Sequence, residues 1–139
     1  MLTQEIFDTL LKTEGDFLGP LDLALEAVDD TSVTVRLKFD PQFLRPGGTI
    51  SGPTLFALSD VAMWFLAIHK YPQGKMALTT DLTMHFLRAS RDRDLLARAR
   101  ALRAGRRLLV SRVTIVPDGE DAPLCHATGT YSVPSEARA

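Results

Sequence analysis

Asp60 stands inside one of the most apolar stretches of the chain: from Leu55 to Ile68 only it and Ser59 are polar. A carboxylate in such a place can activate water or attack an electrophilic carbon. It can equally be a structural group, capped by an arginine or a backbone N–H, and the residues alone leave both readings open. A second chemical feature is basic. Most of the cationic residues are arginines, and they crowd between Arg88 and Arg107. Guanidinium forks match phosphate geometry, so this crowd is either an anion-binding rim or a solvated face. His69, His85 and His126 show neither metal-ligand spacing nor a Ser-His-Asp or Cys-His setting, so no metal and no cofactor is expected. The lone Cys125 cannot form an intrachain disulfide and reads as a small core residue.

The elements that must hold these groups can be read from periodicity. With 139 residues, 45% of them apolar, and a formal charge of −1, the chain is one soluble domain's worth. It is too evenly charged for a bulk nucleic-acid or membrane-surface binder. The N-terminus carries acids where a signal peptide would be basic, and the apolar run around Asp60 is shorter than the roughly 20 residues of a bilayer span. The expected setting is cytoplasmic.

Ile6, Phe7, Leu10 and Leu11 recur at helical spacing, which predicts an amphipathic helix over 3–14 ending near Gly15. "LDLALEAVDDTSVTVRLKF" alternates on both sides of Asp29–Ser32, two strands about a tight turn. A Pro- and Gly-rich loop then leads to a long helix entered at Pro53. Four strands follow: "MALTTDLTMHFL", "LLARARALRA", "RRLLVSRVTIV" and "PLCHATGTYSV", read as a meander. In the first, strict alternation puts Leu78, Thr80, Leu82, Met84 and Phe86 on one face and Thr79, Asp81, Thr83 and His85 on the other. The second is made of strong helix formers, but its Ala/Arg alternation and flanking turns predict a strand. The sum is an α+β fold, a mostly antiparallel sheet with one central helix on its concave face. A helix apolar on nearly every side needs cover that one sheet cannot give, which calls for a second subunit.

In this order the elements resemble the PaaI-like branch of the hotdog-fold acyl-CoA thioesterases, within the 4-hydroxybenzoyl-CoA thioesterase superfamily. The family enters its helix with Gly-x-x-His-Gly-Gly, then six residues, then Asp or Glu. "GTISGPTLFALSDVA" supplies Gly48, Ser51, Gly52, Pro53 and Asp60 at those places. "TTDLTMHFLRAS" matches the strand that ends in a "FLRPA"-like phrase, and Gly105-Arg106 matches a later Gly-Arg. The likeness runs from about Thr31 to Val133. Ser51 stands where the family has His, and Pro53 where it has a second Gly.

The resemblance implies a single hotdog domain over 1–139, with an N-terminal helix in 1–19 and the core in 20–134. It implies hydrolysis of a CoA thioester to free acid and CoA, with coenzyme A present only as part of the substrate. Asp60 would be base or nucleophile and the N–H of Gly52 the oxyanion donor, at a helix start where the dipole favours negative charge. Thr79 matches a Ser or Thr that orients the nucleophile, and Ser51 caps the helix and offers a further hydrogen bond. Arg45 and Gly48, with Arg88, Arg91, Arg106 and Arg107, are the candidates for meeting the substrate and its nucleotide. Eight helical residues separate Gly52 from Asp60, about 12 Å at ~1.5 Å per residue. The two cannot reach one carbonyl from the same chain, so a C2 homodimer, or a dimer of dimers, would pair them across subunits. The Ser51 and Pro53 departures motivate the alternative, a non-catalytic acyl-CoA-binding hotdog protein.

Overall fold

A computed structural model describes residues 1–135. Helix α1 (Gln4–Thr13) begins at Thr3, whose hydroxyl accepts from the Ile6 N–H, and it buries Phe7 and Leu10. The short α2 (Gly15–Leu18) follows. Strands β1 (Leu23–Asp29) and β2 (Ser32–Leu37) form the expected hairpin, its turn held by Asp29 Oδ1 accepting from the Thr31 N–H at 3.0 Å. After the loop comes α3 (Gly52–Lys70), then β3 (Leu78–Phe86), β4 (Leu95–Ala104), β5 (Leu108–Pro117) and β6 (Cys125–Ser132). The Ala/Arg segment is therefore a strand. Ala97 and Ala99 are buried under α3 while Arg98 and Arg100 face solvent, and that division outweighs helix propensity.

All six strands join one antiparallel sheet in the order β1-β2-β4-β5-β6-β3. The four later strands are thus not a simple meander. β3 pairs with β6 at the far edge, and the chain then crosses back to lay β4 beside β2. Local alternation fixes that a segment is a strand but not which neighbour it takes, so the order was outside its reach.

Helix α3 packs on the inner face against β2, β4, β5 and β6. Leu58, Ala62, Met63, Phe65, Leu66 and Ala67 are wholly buried there, each large one worth roughly 1.5–3 kcal/mol on burial. Gly129 on β6 leaves room for a close approach of the helix: a Cβ there would lie 2.8 Å from Met63 Sδ and 2.9 Å from the Asp81 carbonyl. By length and composition α3 could cross a bilayer, yet most of it is enclosed by its own chain.

Part of that enclosure comes from the N-terminal helices. Phe7 stacks on Phe65 with ring centroids 4.6 Å apart, and Phe17 meets Trp64 edge-on at 5.0 Å. These helices, which periodicity did not dock on α3, cover part of the surface for which a second subunit was expected. What stays open is a stripe on the first half of α3: Pro53 and Phe56 are exposed, and Ala57 and Asp60 are half-buried.

Candidate active site

Asp60 lies on that stripe and points toward the start of β3. The Thr79 hydroxyl donates to Asp60 Oδ1 at 2.7 Å. The Tyr131 hydroxyl reaches the same oxygen at 2.7 Å and the Asp60 backbone carbonyl at 2.7 Å. Among the described residues no donor is bonded to Oδ2. Thr79 and Tyr131 are cross-strand partners in the β3–β6 ladder, so a single rung of the sheet supplies both donors. Tyr131 is 3% exposed. Burial first, and the neighbouring Asp60 second, push its phenol well above the ordinary range and keep the proton in place.

Thr79 reaches the helix because the strand breaks its own alternation. The register slips between Thr79 and Asp81, leaving Thr80 as an extra residue whose hydroxyl turns to the Thr130 carbonyl. Such a bulge shifts every side chain on one side of it to the opposite face. Thr79 therefore shares the inner face with Leu82 and Met84, not the outer face with Asp81 and His85 as strict alternation predicted. Nothing in "LTTDLT" announces the slip.

A depression of about 290 Å³ opens beside the carboxylate, walled by Glu14, Phe17, Trp64, Met76, Ala77 and Leu78 with Thr79 and Tyr131. Its rim carries an ion pair, Lys75 Nζ to Glu14 Oε2 at 3.5 Å. The N-terminal helices thus form part of the wall, which the sequence reading did not foresee. Tyr131 was missed too. The available signal was a tyrosine on the buried face of a strand, whose hydroxyl must find a partner.

The helix start is a separate place. Ser51 caps α3, its Oγ accepting from the Thr54 N–H at 3.2 Å and lying 2.8 Å from Thr54 Oγ1. Its side chain is spent on capping and does not approach Asp60. The Gly52 N–H has no acceptor among the described residues, as expected of a first-turn donor. Gly52 lies against the far end of β3, where the Phe86 ring sits 3.6 Å from the position a Cβ would take. Thr49, Ile50, Leu55, Leu87 and Arg88 complete a second, shallower depression around it.

The arginines divide into two groups. Gly48 takes φ +78°, and Arg91 Nη1 lies 3.3 Å from where its Cβ would be. Arg45 opens the same turn, its N–H bonded to the Thr49 carbonyl and its own carbonyl to the Gly48 N–H. Arg45 and Arg91 are exposed at the helix start. Arg88 is nearby, but its guanidinium donates to the Ala122 and Pro123 carbonyls and to Glu120. Arg106 and Arg107 lie at the opposite end of α3 beside Tyr71 and Gln73, where Tyr71 donates to the Gly105 carbonyl. About 28 Å of helix separates that end from Gly52.

His69 has a structural task. Its Nδ1 accepts from the Leu2 N–H at 3.1 Å and its Nε2 bonds the Asp29 carbonyl at 2.8 Å, tying the N-terminus to the first hairpin. No cluster of metal-ligating groups occurs among the described residues.

Comparison with known proteins adds an independent line. The family model described as the thioesterase superfamily matches residues 47–123, more than half of the chain. A crystallised protein of a Silicibacter species, provisionally designated a thioesterase, is 34% identical over 96% of this chain and 93% of its own, with a TM-score of 0.82. A protein of Saccharolobus solfataricus, provisionally designated an esterase, is 25% identical over 135 residues, 96% of this chain and 87% of its own. A hypothetical thioesterase of Streptococcus pneumoniae is 25% identical with a TM-score of 0.74. It covers 83% of this chain and 93% of its own, and it was crystallised as separate Asp-to-Ala and Thr-to-Ala mutants.

Proposed function

The chain belongs to the thioesterase superfamily and is a hydrolase acting on thioester bonds, and from that premise we propose that it cleaves an acyl-CoA to the free acid and CoA, in the cytoplasm, with Asp60 as the catalytic carboxylate. The observation that carries the proposal is the state of that carboxylate. Oδ1 is held by two hydroxyls, while among the described residues no donor reaches Oδ2, beside a depression walled by Phe17, Trp64, Met76, Ala77 and Leu78 with Glu14 and Lys75 at its rim. In this reading Oδ2 takes a proton from a water whose oxygen adds to the thioester carbonyl, or attacks that carbon itself to give an acyl-aspartyl anhydride that water then hydrolyses to the free acid. The tetrahedral oxyanion is met by a fixed N–H, the C–S bond breaks, and the departing thiolate is protonated. The Streptococcus pneumoniae relative was altered at an Asp and at a Thr, the two residue types paired here, which is in keeping with this assignment.

The oxyanion donor is the Gly52 N–H of a second copy. Within one chain it lies about 12 Å from Asp60 along the helix. β3 is an edge strand with an unpaired rim, and Leu78 and Phe86 on it, Leu87 just past its end and Phe56 on α3 are exposed apolar residues. An exposed apolar edge favours pairing with another strand. Antiparallel pairing of two β3 strands would bring the Thr79 end of one chain to the Phe86 end of the other, and so Asp60 to Gly52 of the partner. Arg45 and Arg91, exposed and flanking the Gly47–Gly48 turn, are the arginines best placed for the CoA phosphates. Arg88 is held by its own chain, and Arg106 and Arg107 are too distant to share one nucleotide with the others within a chain.

The test is release of free CoA thiol from short, medium, long and aromatic acyl-CoAs, with Asp60→Asn alongside. Hydrolysis by the wild type that collapses in the variant is expected. Saturable binding of acyl-CoA without thiol release would make the protein a binder.

A further inference from the structure

We propose that Tyr131 is a positioning residue for hydrolysis: acting with Thr79 it fixes Asp60 Oδ1 and so presents Oδ2 to the reacting atoms. This deepens the assignment of Asp60 and rests on it. An aspartate carboxylate turns through a broad, nearly two-fold torsion about its last bond, and its two oxygens exchange unless something tells them apart. Here the distinction is built in. Tyr131 OH stands 2.7 Å from Oδ1 and 2.7 Å from the carbonyl of the same residue. It therefore ties the side chain of Asp60 to its own backbone. Thr79 adds a second donor to Oδ1 from the neighbouring strand at 2.7 Å.

A purely structural reading has to be weighed. A buried tyrosine needs an acceptor, and the Asp60 carbonyl alone would satisfy it. That reading leaves unexplained why the hydroxyl also sits at bonding distance from a side-chain oxygen already served by Thr79. It also leaves the bulge at Thr80 without purpose, since the slip is what sets Thr79 on the rung shared with Tyr131. Two donors converging on one oxygen, with none on the other, form an orienting device of the kind that pre-organises a reacting group. Tyr131 also lines the depression, but its hydroxyl is committed to Asp60 Oδ1 and to the Asp60 carbonyl, so it acts through Asp60.

The experiment is steady-state kinetics of Tyr131→Phe on the acyl-CoA that the wild type hydrolyses best, with thermal melting in parallel. Since Thr79 remains, kcat is expected to fall about tenfold while KM stays within about twofold, the pattern of a misaligned carboxylate. In an Asp60→Asn background the same change should cost nothing further, because the oriented group is gone. A kcat within twofold of wild type, a loss confined to KM, or an undiminished loss in the Asp60→Asn background overturns the proposal. Should Tyr131→Phe fail to fold, 3-fluorotyrosine incorporation serves, in a Tyr71→Phe background because the chain has two tyrosines. The ring and hydroxyl then remain but the proton is more acidic, and kcat should change by more than about twofold at constant KM; no change overturns the proposal. Absence of thiol release by the wild type overturns the thioesterase assignment and this inference together, whereas an active wild type with an unaffected Tyr131→Phe overturns this inference alone.

Discussion

Thr79 and Tyr131 face each other across the β3–β6 ladder, and both set a hydroxyl on the same oxygen of Asp60. The carboxylate is consequently asymmetric, one oxygen engaged and one free.

Asp60→Asn keeps the shape and loses the charge. It should lower kcat by about a thousandfold or more with little change in melting temperature. Thr79→Ala should cost roughly tenfold and Thr79→Ser little, since serine keeps the hydroxyl. Thiol-release kinetics on the purified variants decide the matter; comparable rates for Asp60→Asn and wild type would remove Asp60 from the mechanism.

The split site can be tested by complementation. Gly52→Pro removes the N–H at a helix position that tolerates proline, and it should be inactive by itself. Mixed with Asp60→Asn and refolded, it should restore about one quarter of wild-type activity, because half of the dimers are mixed and each has one intact site. A site contained within one chain would restore none.

These experiments probe residues of unequal visibility in the sequence. Asp60 stood out as a carboxylate in an apolar run, and Gly52 through the likeness of "GTISGPTLFALSDVA" to the family's helix entry. The strands were legible from alternation, even "LLARARALRA", whose propensity argues the other way. Tyr131 was not, because its role depends on which strand lies beside β3. Strand order is a long-range property that the crossing from β3 back to β4 decides. The arginines were visible as a crowd, but which are free depends on carbonyls at Ala122 and Pro123 that only the folded loop brings to Arg88.

Cys125 should be inert in the native protein. Burial pushes its thiol up to about 11, so at pH 8 about one molecule in a thousand carries the reactive thiolate. A disulfide-exchange chromogen should report no protein thiol until denaturant is added, and then one per chain. Rapid native labelling would show that β6 opens readily.

Arg36 bridges Glu26, Asp94 and Asp118, with contacts of 2.9, 3.1 and 2.9 Å. Its hydrogen bonds hold Glu26 and Asp118 below the usual carboxylate range. Depressed carboxyls contribute stability above about pH 4, which is lost as pH falls through their folded values. Arg36→Gln should therefore melt below wild type at neutral pH, and the gap should close on acidification past about pH 4. A gap that does not narrow at all as pH falls below about 4 would assign the loss to packing of the arginine stem instead.

One extra residue at Thr80 gives the start of β3 a parity of its own. Counting from Leu82 toward the helix, inside and outside exchange at that residue, so the number of residues between Asp60 and its hydroxyl partner is no ruler for finding the same pair elsewhere. A sequence lacking the insertion would put its hydroxyl on the inner face at Leu78 or Thr80 by count, and an alignment matched on alternation alone would pair Thr79 with an outward-facing position. In this strand, a gap of one residue is a choice of which side of the sheet the chemistry is on.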